Sequence, residues 1–411
     1  MNNFTKNLFE KYETFKEQKL TKRRFKQKEI LPIIQKLPYE KMIVGKSFEN
    51  REIIKIKIGN GKKTILLWSQ MHGNEATATM AIFDIFKFFQ AKNDSFDAER
   101  KELLDKLELH FIPMLNPDGA ERFIRRTAQG IDMNRDALAL QCPESVILKD
   151  NVGKLKPEFS FNLHDQGIRY SVGETSNQAT VSFLATAYNL EREWNAVRIK
   201  SRQVISEMNT ILQDYAPGKI ARYSDEFEPR AFGDNIQKWG SSLILVESGG
   251  YGSDSEKQNI RKLNFIAILG ALWSISKKNY TGYNLADYEK IPKNGKSLFD
   301  LKINNLKVKI GTTITNLDLG INLEEKNNAT AIDFSLTSVI EDMGDLSVFY
   351  GLHSFDAKGG FLKSFTEYPT LMTKYKIPKS STKTIDLGEK ANFVIDHGDS
   401  QTLVINGQII G

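Results

Sequence analysis

The chain contains a single cysteine, Cys142, in 411 residues. That excludes an internal disulfide framework and any metal cluster built from several thiolates, agrees with a reducing compartment, and leaves histidines and carboxylates as metal ligands. Histidine is scarce too, at five residues. No uninterrupted apolar run occurs in the charged, Phe- and Leu-containing stretch Met1 to Lys19, so neither a signal peptide nor a membrane span is expected. The expectation is a cytoplasmic protein with no membrane partner. A dominant charge of one sign is also missing: 57 basic residues face 51 acidic ones, a net charge of +6, spread along the chain. Nucleic acid is therefore not an expected partner. The most basic stretch, Lys19 to Lys28 with Arg23 and Arg24, reads as a solvated helical face. No repeat period and no low-complexity segment stands out.

With 40% hydrophobic residues, the chain can build a sizeable core, and its length predicts a large domain plus a smaller one. Between Asn2 and about Gln35, Phe4, Leu8, Phe15, Leu20 and Phe25 are spaced for one or two amphipathic helices, an N-terminal extension over residues 1–42. Arg51 to Ile58 and Thr64 to Trp68 read as neighbouring strands joined by the turn Gly59-Asn60-Gly61. A helix follows from Glu75 to Gln90, then strands at Leu107 to Leu115 and Phe159 to Leu163. A helix at about Glu191 to Leu212, a strand at Leu243 to Glu247 and a helix at about Glu256 to Ser276 complete residues 43–282. Such alternation predicts an α/β fold, a mixed and mostly parallel sheet flanked by helices. After a boundary at residues 282–296 the character changes. Lys302 to Ile310, Thr384 to Leu387, Ala391 to Ile395 and Gln401 to Ile405 read as short strands of a small β-rich domain over 296–411, of sandwich type.

In Trp68-Ser69-Gln70-Met71-His72-Gly73-Asn74-Glu75 a strand ends, a glycine permits a sharp turn and a helix begins. His72 and Glu75 are thereby set together at the carboxyl edge of the sheet, where open α/β folds place ligand sites. A catalytic zinc ion takes three nitrogen or oxygen ligands and keeps one open position. His164, at the end of Phe161-Asn162-Leu163, is the best third ligand for one Zn2+ ion. His110 lies in an apolar strand and reads as a core residue; His353 and His397 read as surface or structural.

Further motifs fall in an order that resembles the zinc carboxypeptidases over residues 43 to 275. Gly45-Lys46-Ser47 with Arg51-Glu52-Ile53 is similar to that family's first hairpin, and His72-Gly73-Asn74-Glu75 and Asn116-Pro117-Asp118-Gly119 follow. The most specific stretch is Arg125-Arg126-Thr127, then Gly130-Ile131-Asp132-Met133-Asn134-Arg135. The resemblance implies that Arg125 polarises the scissile carbonyl, Asp132 orients His72, and Asn134 with Arg135 clamps the substrate's terminal carboxylate. It also implies that Glu247 is the general base. These roles suit the groups: a carboxylate can take a proton from water and return it to the leaving amine, and an arginine fork binds a carboxylate bidentately. The implied activity is zinc-dependent hydrolysis of a C-terminal residue or amide bond of a small peptide, by zinc-activated water. An N-acyl amino acid deacylase of the aspartoacylase or succinylglutamate desuccinylase kind shares His-Gly-x-Glu and Asp-x-Asn-Arg, so an acylated amino acid is the alternative substrate. A non-catalytic binding protein on the same fold is the third reading. Metal content and paired peptide and N-acyl substrates separate the three.

The sequence also departs from the family. The mobile tyrosine that digestive members carry before the base has no clear counterpart, although Tyr223 lies just upstream of that region. Asp136 and Asp165 stand where relatives carry other residues, and extra acid near the pocket would favour a basic substrate group. The pocket preference depends on loops between about Ser171 and Lys238, and subunit number is open.

Overall fold

The computed structural model describes residues 3–378 and 386–410, and it divides into two compact units. The larger comprises Met1–Gly173 and Gln178–Asn294; the smaller comprises Glu174–Asn177 and Gly295–Gly411.

The larger unit is built on an eight-stranded mixed sheet. Its first five strands in chain order are β1 (Glu40–Lys46), β2 (Glu52–Ile58), β3 (Lys63–Ser69), β4 (Leu107–Ile112) and β5 (Phe159–Asp165). Spatially the order is β1, β2, β4, β3, β5, then the strands Ser242–Ser248, Val181–Leu184 and Ile220–Arg222. β4, β3, β5 and Ser242–Ser248 run parallel. These central strands are nearly continuous apolar runs, as expected where helices cover both faces; Ile65, Leu66, Leu67, Phe159, Phe161, Leu243 and Ile244 are all fully buried. Helices Thr77–Gln90, Ala196–Gln213 and Gln258–Lys277 are prominent in this unit.

β2 and β3 are not neighbours. β4 lies between them, antiparallel to β2 and parallel to β3. Local spacing shows that Gly59 can turn the chain, at φ +78°, but it cannot show which strand later fills the gap. The basic stretch is corrected as well. Arg23, Arg24 and Lys26 are buried rather than solvated, in a segment that is not helical. Arg24 stacks its guanidinium on Phe123, 4.3 Å from the ring centre, and Lys26 donates to the Glu121 carbonyl. The N-terminal residues form helices Asn3–Glu10, Tyr12–Phe15 and Gln27–Gln35, with Phe4, Leu8, Tyr12 and Phe15 buried.

The smaller unit is rich in β structure. Its strands form one hydrogen-bonded array rather than two separate sheets, because Leu298–Ile310 pairs with Thr313–Asn327 along one edge and with Tyr350–Asp356 and then Phe361–Lys363 along the other. Leu301, Ile303, Leu319, Ile321, Phe393 and Ile395 share its core. Strands Phe393–Asp396 and Gln401–Ile405 lie at two of the expected positions. The strand expected at Thr384 to Leu387 falls partly on residues 384–385, outside the described residues; Asp386 and Leu387 are not in a strand.

Candidate metal centre and active site

The chemistry collects at the carboxyl ends of three adjacent parallel strands: β3, β5 and Ser242–Ser248. After β3 the chain turns sharply, with Gln70 at φ +46°. Gln70 Nε2 donates to the Gly73 carbonyl over 2.9 Å, which closes a loop presenting His72 and Glu75 on one side. Gly73 is required here: a Cβ on it would sit 2.0 Å from the Gly119 carbonyl carbon. The facing helix, Pro117–Arg122, is capped by Asn116, whose Oδ1 accepts from Gly119 N at 2.8 Å. Asn116 N donates to Gln70 O at 2.9 Å, so the Asn-Pro-Asp-Gly motif braces the ligand loop. Asp118, fully buried, accepts from Ser47 Oγ (2.7 Å), Glu49 N (2.9 Å) and Arg51 (2.6 Å), tying the first hairpin to the same brace.

The structure brings the three expected ligands together. One donor atom each from His72, Glu75 and His164 lies within 4.8 Å of the others, and all three residues are buried. His72 Nδ1 is 2.8 Å from Glu75 Oε1, and His164 Nδ1 is 2.6 Å from Glu75 Oε2. His72 presents its other nitrogen, Nε2, to Asp132 Oδ1 at 3.0 Å. A proton on Nε2 serves that bond and turns the Nδ1 lone pair towards the carboxylate. Lone pair then faces lone pair unless a cation or a proton lies between them. Two imidazole nitrogens and a carboxylate oxygen are also the donor set of a catalytic zinc site, so the residues fit this ion. Burial works against a charged His72, but the Glu75 charge and the bonds to Asp132 and Glu75 outweigh it and raise its pKa. In His164 burial prevails and lowers it. Burial favours a neutral Glu75, yet the two imidazoles hold its carboxyl well below the ordinary range.

The remaining expected residues surround this triad. Arg125, 44% exposed, donates to Asp132 Oδ2 at 3.0 Å and to Glu75 Oε1 at 3.2 Å, so its guanidinium stands at the open side. Asp132 caps the short turn Met133–Arg135 through Asn134 N, which joins His72's partner to the two clamp candidates. Asn134 Oδ1 accepts from Phe232 N at 3.0 Å. Arg135, 41% exposed, has its Nε 3.3 Å from Glu228 Oε2. Glu247 is in register with His164 on the adjacent strand. Burial, then the charges of Glu75 and Asp165, push its carboxyl well up.

Two acids expected to enrich the pocket are each paired within the fold. Asp136 is buried and accepts from the backbone of Gln141 (2.9 Å) and Cys142 (3.1 Å). Asp165 accepts from Thr77 Oγ1 at 2.6 Å and pairs with Lys257 at 3.2 Å. Each carboxylate is engaged within the fold. Three groups that spacing alone did not single out also belong here: Lys257, Tyr170 and Asn294. Tyr223 is bonded to Tyr170 and Asn294 and feels the Glu247 charge; burial, then that charge, drives its phenol pKa up. The rings of Tyr170 and Tyr223 are 5.5 Å apart. Polar side chains aligned near the base give no periodic signal in sequence. His110 is buried beside Glu108 (2.9 Å), and His353 and His397 are exposed.

Residues 38–203 match the family profile described as zinc carboxypeptidase. The chain is 29% identical over 105 residues to carboxypeptidase 2 of Trichophyton rubrum, covering 25% of this chain and 19% of that one. It is 27% identical over 109 residues to human carboxypeptidase D, covering 23% and 8%. An uncharacterized protein of Zymomonas mobilis matches at 27% over 126 residues, 30% of this chain and 32% of the relative. The matched stretch thus spans about a third or less of these relatives' length. Among solved structures, a metallo-carboxypeptidase from Burkholderia cenocepacia superposes with a TM-score of 0.50 at 16% identity, over 62% of this chain and 70% of that one. Carboxypeptidase A from Helicoverpa armigera does so with a TM-score of 0.50 at 14% identity, over 68% and 80%. At such identities the structural matches speak for the fold. Among the described residues no helix is long and apolar enough to cross a membrane.

Proposed function

We propose that this member of the zinc carboxypeptidase family is a hydrolase that removes the C-terminal residue, or cleaves a terminal amide bond, of a small peptide. The observation that carries the reading is the bracketing of Glu75 by two imidazole Nδ1 atoms, with Arg125 on the same carboxylate and Glu247 on the next strand. His72, Glu75 and His164 would hold one zinc ion, and Asp132 would fix the ring of His72. Zinc, when bound, supplies Lewis acidity towards a carbonyl and lowers the pKa of water.

The chain's own groups supply the rest. Arg125 has donors on the open side of the triad and can receive the oxygen of the scissile carbonyl as negative charge grows on it. Glu247 sits at the end of the strand beside His164, where its carboxylate can take a proton from water and pass it to the leaving nitrogen. A carboxyl that its surroundings hold high is suited to carrying that proton. Arg135 now rests on the Glu228 carboxylate, and a peptide's terminal carboxylate can replace it like for like. Tyr223, beside Glu247, is the candidate for the phenol that closes over bound peptide. A basic preference is not part of the reading, because Asp136 and Asp165 are engaged elsewhere.

The test is release of C-terminal residues from N-blocked peptides by zinc-loaded protein. Glu247→Gln is expected to keep stoichiometric zinc and lose about 10²–10⁴-fold in kcat. Full activity in that variant, or a wild-type protein that takes up no zinc, overturns the reading. Faster cleavage of N-acyl amino acids than of peptides moves it to the deacylase class.

A further inference from the structure

Asn162 precedes His164 by two residues on β5, so both side chains leave the same face of the sheet. In register, Asn162 has Trp68 on one side and Leu245 on the other, and Leu245 precedes Glu247 by two residues. One strand further, Ser182 is paired with Glu247. Asn162 therefore lies directly below the metal ligand and beside the residue below the base.

Asn162 is fully buried, and neither atom of its amide has a hydrogen-bond partner among the described residues. Trp68 Nε1 and Ser182 Oγ are unpartnered as well. Trp68 and Leu245 share an apolar cluster with Met133 and Phe232, the neighbours of the candidate clamp. A primary amide left unpaired in such surroundings is costly, and buried polar groups in native folds almost always find a partner, water or ligand included. Leu245, its register neighbour, retains 7% exposure.

We infer that Asn162 reads the side chain of the substrate's terminal residue, and that this side chain is an uncharged group able to donate and accept hydrogen bonds, foremost a carboxamide. The inference rests on the carboxypeptidase reading above. An amide offers one acceptor and two donors, which a second amide matches in both directions. The cluster side chains around it are apolar, so nothing in that cluster neutralises an ionised substrate group buried there. Methionine, of similar length to glutamine, would leave the Asn162 amide unpaired.

The experiment compares zinc-loaded wild type and Asn162→Leu on N-blocked dipeptides ending in glutamine, methionine or glutamate. In parallel, calorimetry measures binding of free glutamine and free methionine to both proteins. Wild type should favour glutamine over methionine by about a hundredfold in kcat/KM, and Asn162→Leu should collapse that ratio to about one, the loss falling on the glutamine substrate. Calorimetry should show the same selectivity and its loss. Leucine replaces the unpaired buried amide with an apolar group of the same number of non-hydrogen atoms, suited to the apolar cluster, so the variant should fold, which circular dichroism checks. Wild-type preference for methionine or glutamate, or an unaltered ratio in Asn162→Leu, overturns the inference while leaving the hydrolase reading intact. Selective, Asn162-dependent glutamine binding without cleavage of any peptide sustains the inference and defeats the hydrolase reading. Absence of both defeats both.

Discussion

Asp84 and Glu75 are two buried carboxylates of the larger unit, each gripped from several sides, and they differ in where the gripping protons belong. Asp84 accepts from Arg261 Nε (2.7 Å) and Nη2 (2.5 Å), Tyr12 Oη (2.9 Å) and Glu17 N (2.7 Å). Every one of those donors carries its hydrogen at neutral pH. Arg261 uses its remaining donors on the carbonyls of Leu20 and Glu17 and on Gln258, so the cluster is closed. Around Glu75 the closest partners are imidazole nitrogens, and His72, whose Nε2 faces Asp132, can present a lone pair at Nδ1. Beyond the Arg125 guanidinium at 3.2 Å, a cation between the imidazoles and the carboxylate would complete that cluster. Burial and charge count do not separate a structural ion pair from a candidate metal site; ownership of the protons does.

The comparison can be broken most directly at His164. In His164→Ala, zinc content measured by metal analysis should fall to a small fraction and peptide release should drop by about 10³-fold or more. Circular dichroism should stay near that of the metal-free wild type. Next in size is Asp84→Ala, which leaves Arg261 charged, buried and unpaired. It should cost about 3–5 kcal/mol in denaturant unfolding, while activity per folded molecule is retained. Loss of zinc in this variant would erase the distinction between the two clusters. Asp132→Asn should weaken zinc binding by about 10–100-fold in chelator competition, through a less firmly held His72. Smallest is the rim pair of Arg135 and Glu228. Its surroundings, the Arg230 bond first, lower the Glu228 pKa. The sign follows: the pair's contribution is present above the unfolded value of about 4.3 and is lost as pH falls through the lower folded value. At neutral pH Glu228→Gln should alter stability by no more than about 1 kcal/mol and should lower KM for peptides with a free C-terminus by freeing Arg135.

Much of the triad was legible because its determinants are local. A strand ending in a histidine, a glycine that must lie against another backbone, and a carboxylate three residues on form one turn, and His164 ends a strand of the same kind. Asp132 and Arg125 were legible through their position in a motif. What sequence could not convey were the partners of distant residues. β4 enters between β2 and β3 from some forty residues downstream of β3, and Arg23 and Arg24 are buried against residues far along the chain, Glu256 and Phe123. Asp136 and Asp165 looked like free acid because their donors, a loop backbone and Lys257, come together only in the fold. Asn162 reads as an ordinary polar interruption of a strand until register shows what lies beside it.

The three candidate ligands and the proposed base are delivered by strands that begin at Lys63, Phe159 and Ser242, and this spread has a kinetic consequence. Parallel pairings over such separations form late, since loop closure must precede any reward from contact. Until then no more than the His72 and Glu75 pair can meet an ion, so metal added during refolding has little to grip and should leave the folding rate nearly unaltered. Once the strands have met, a bound ion would tie the turn after β3 to the end of β5. Its contribution should appear in the unfolding limb, as a slower escape from the native state.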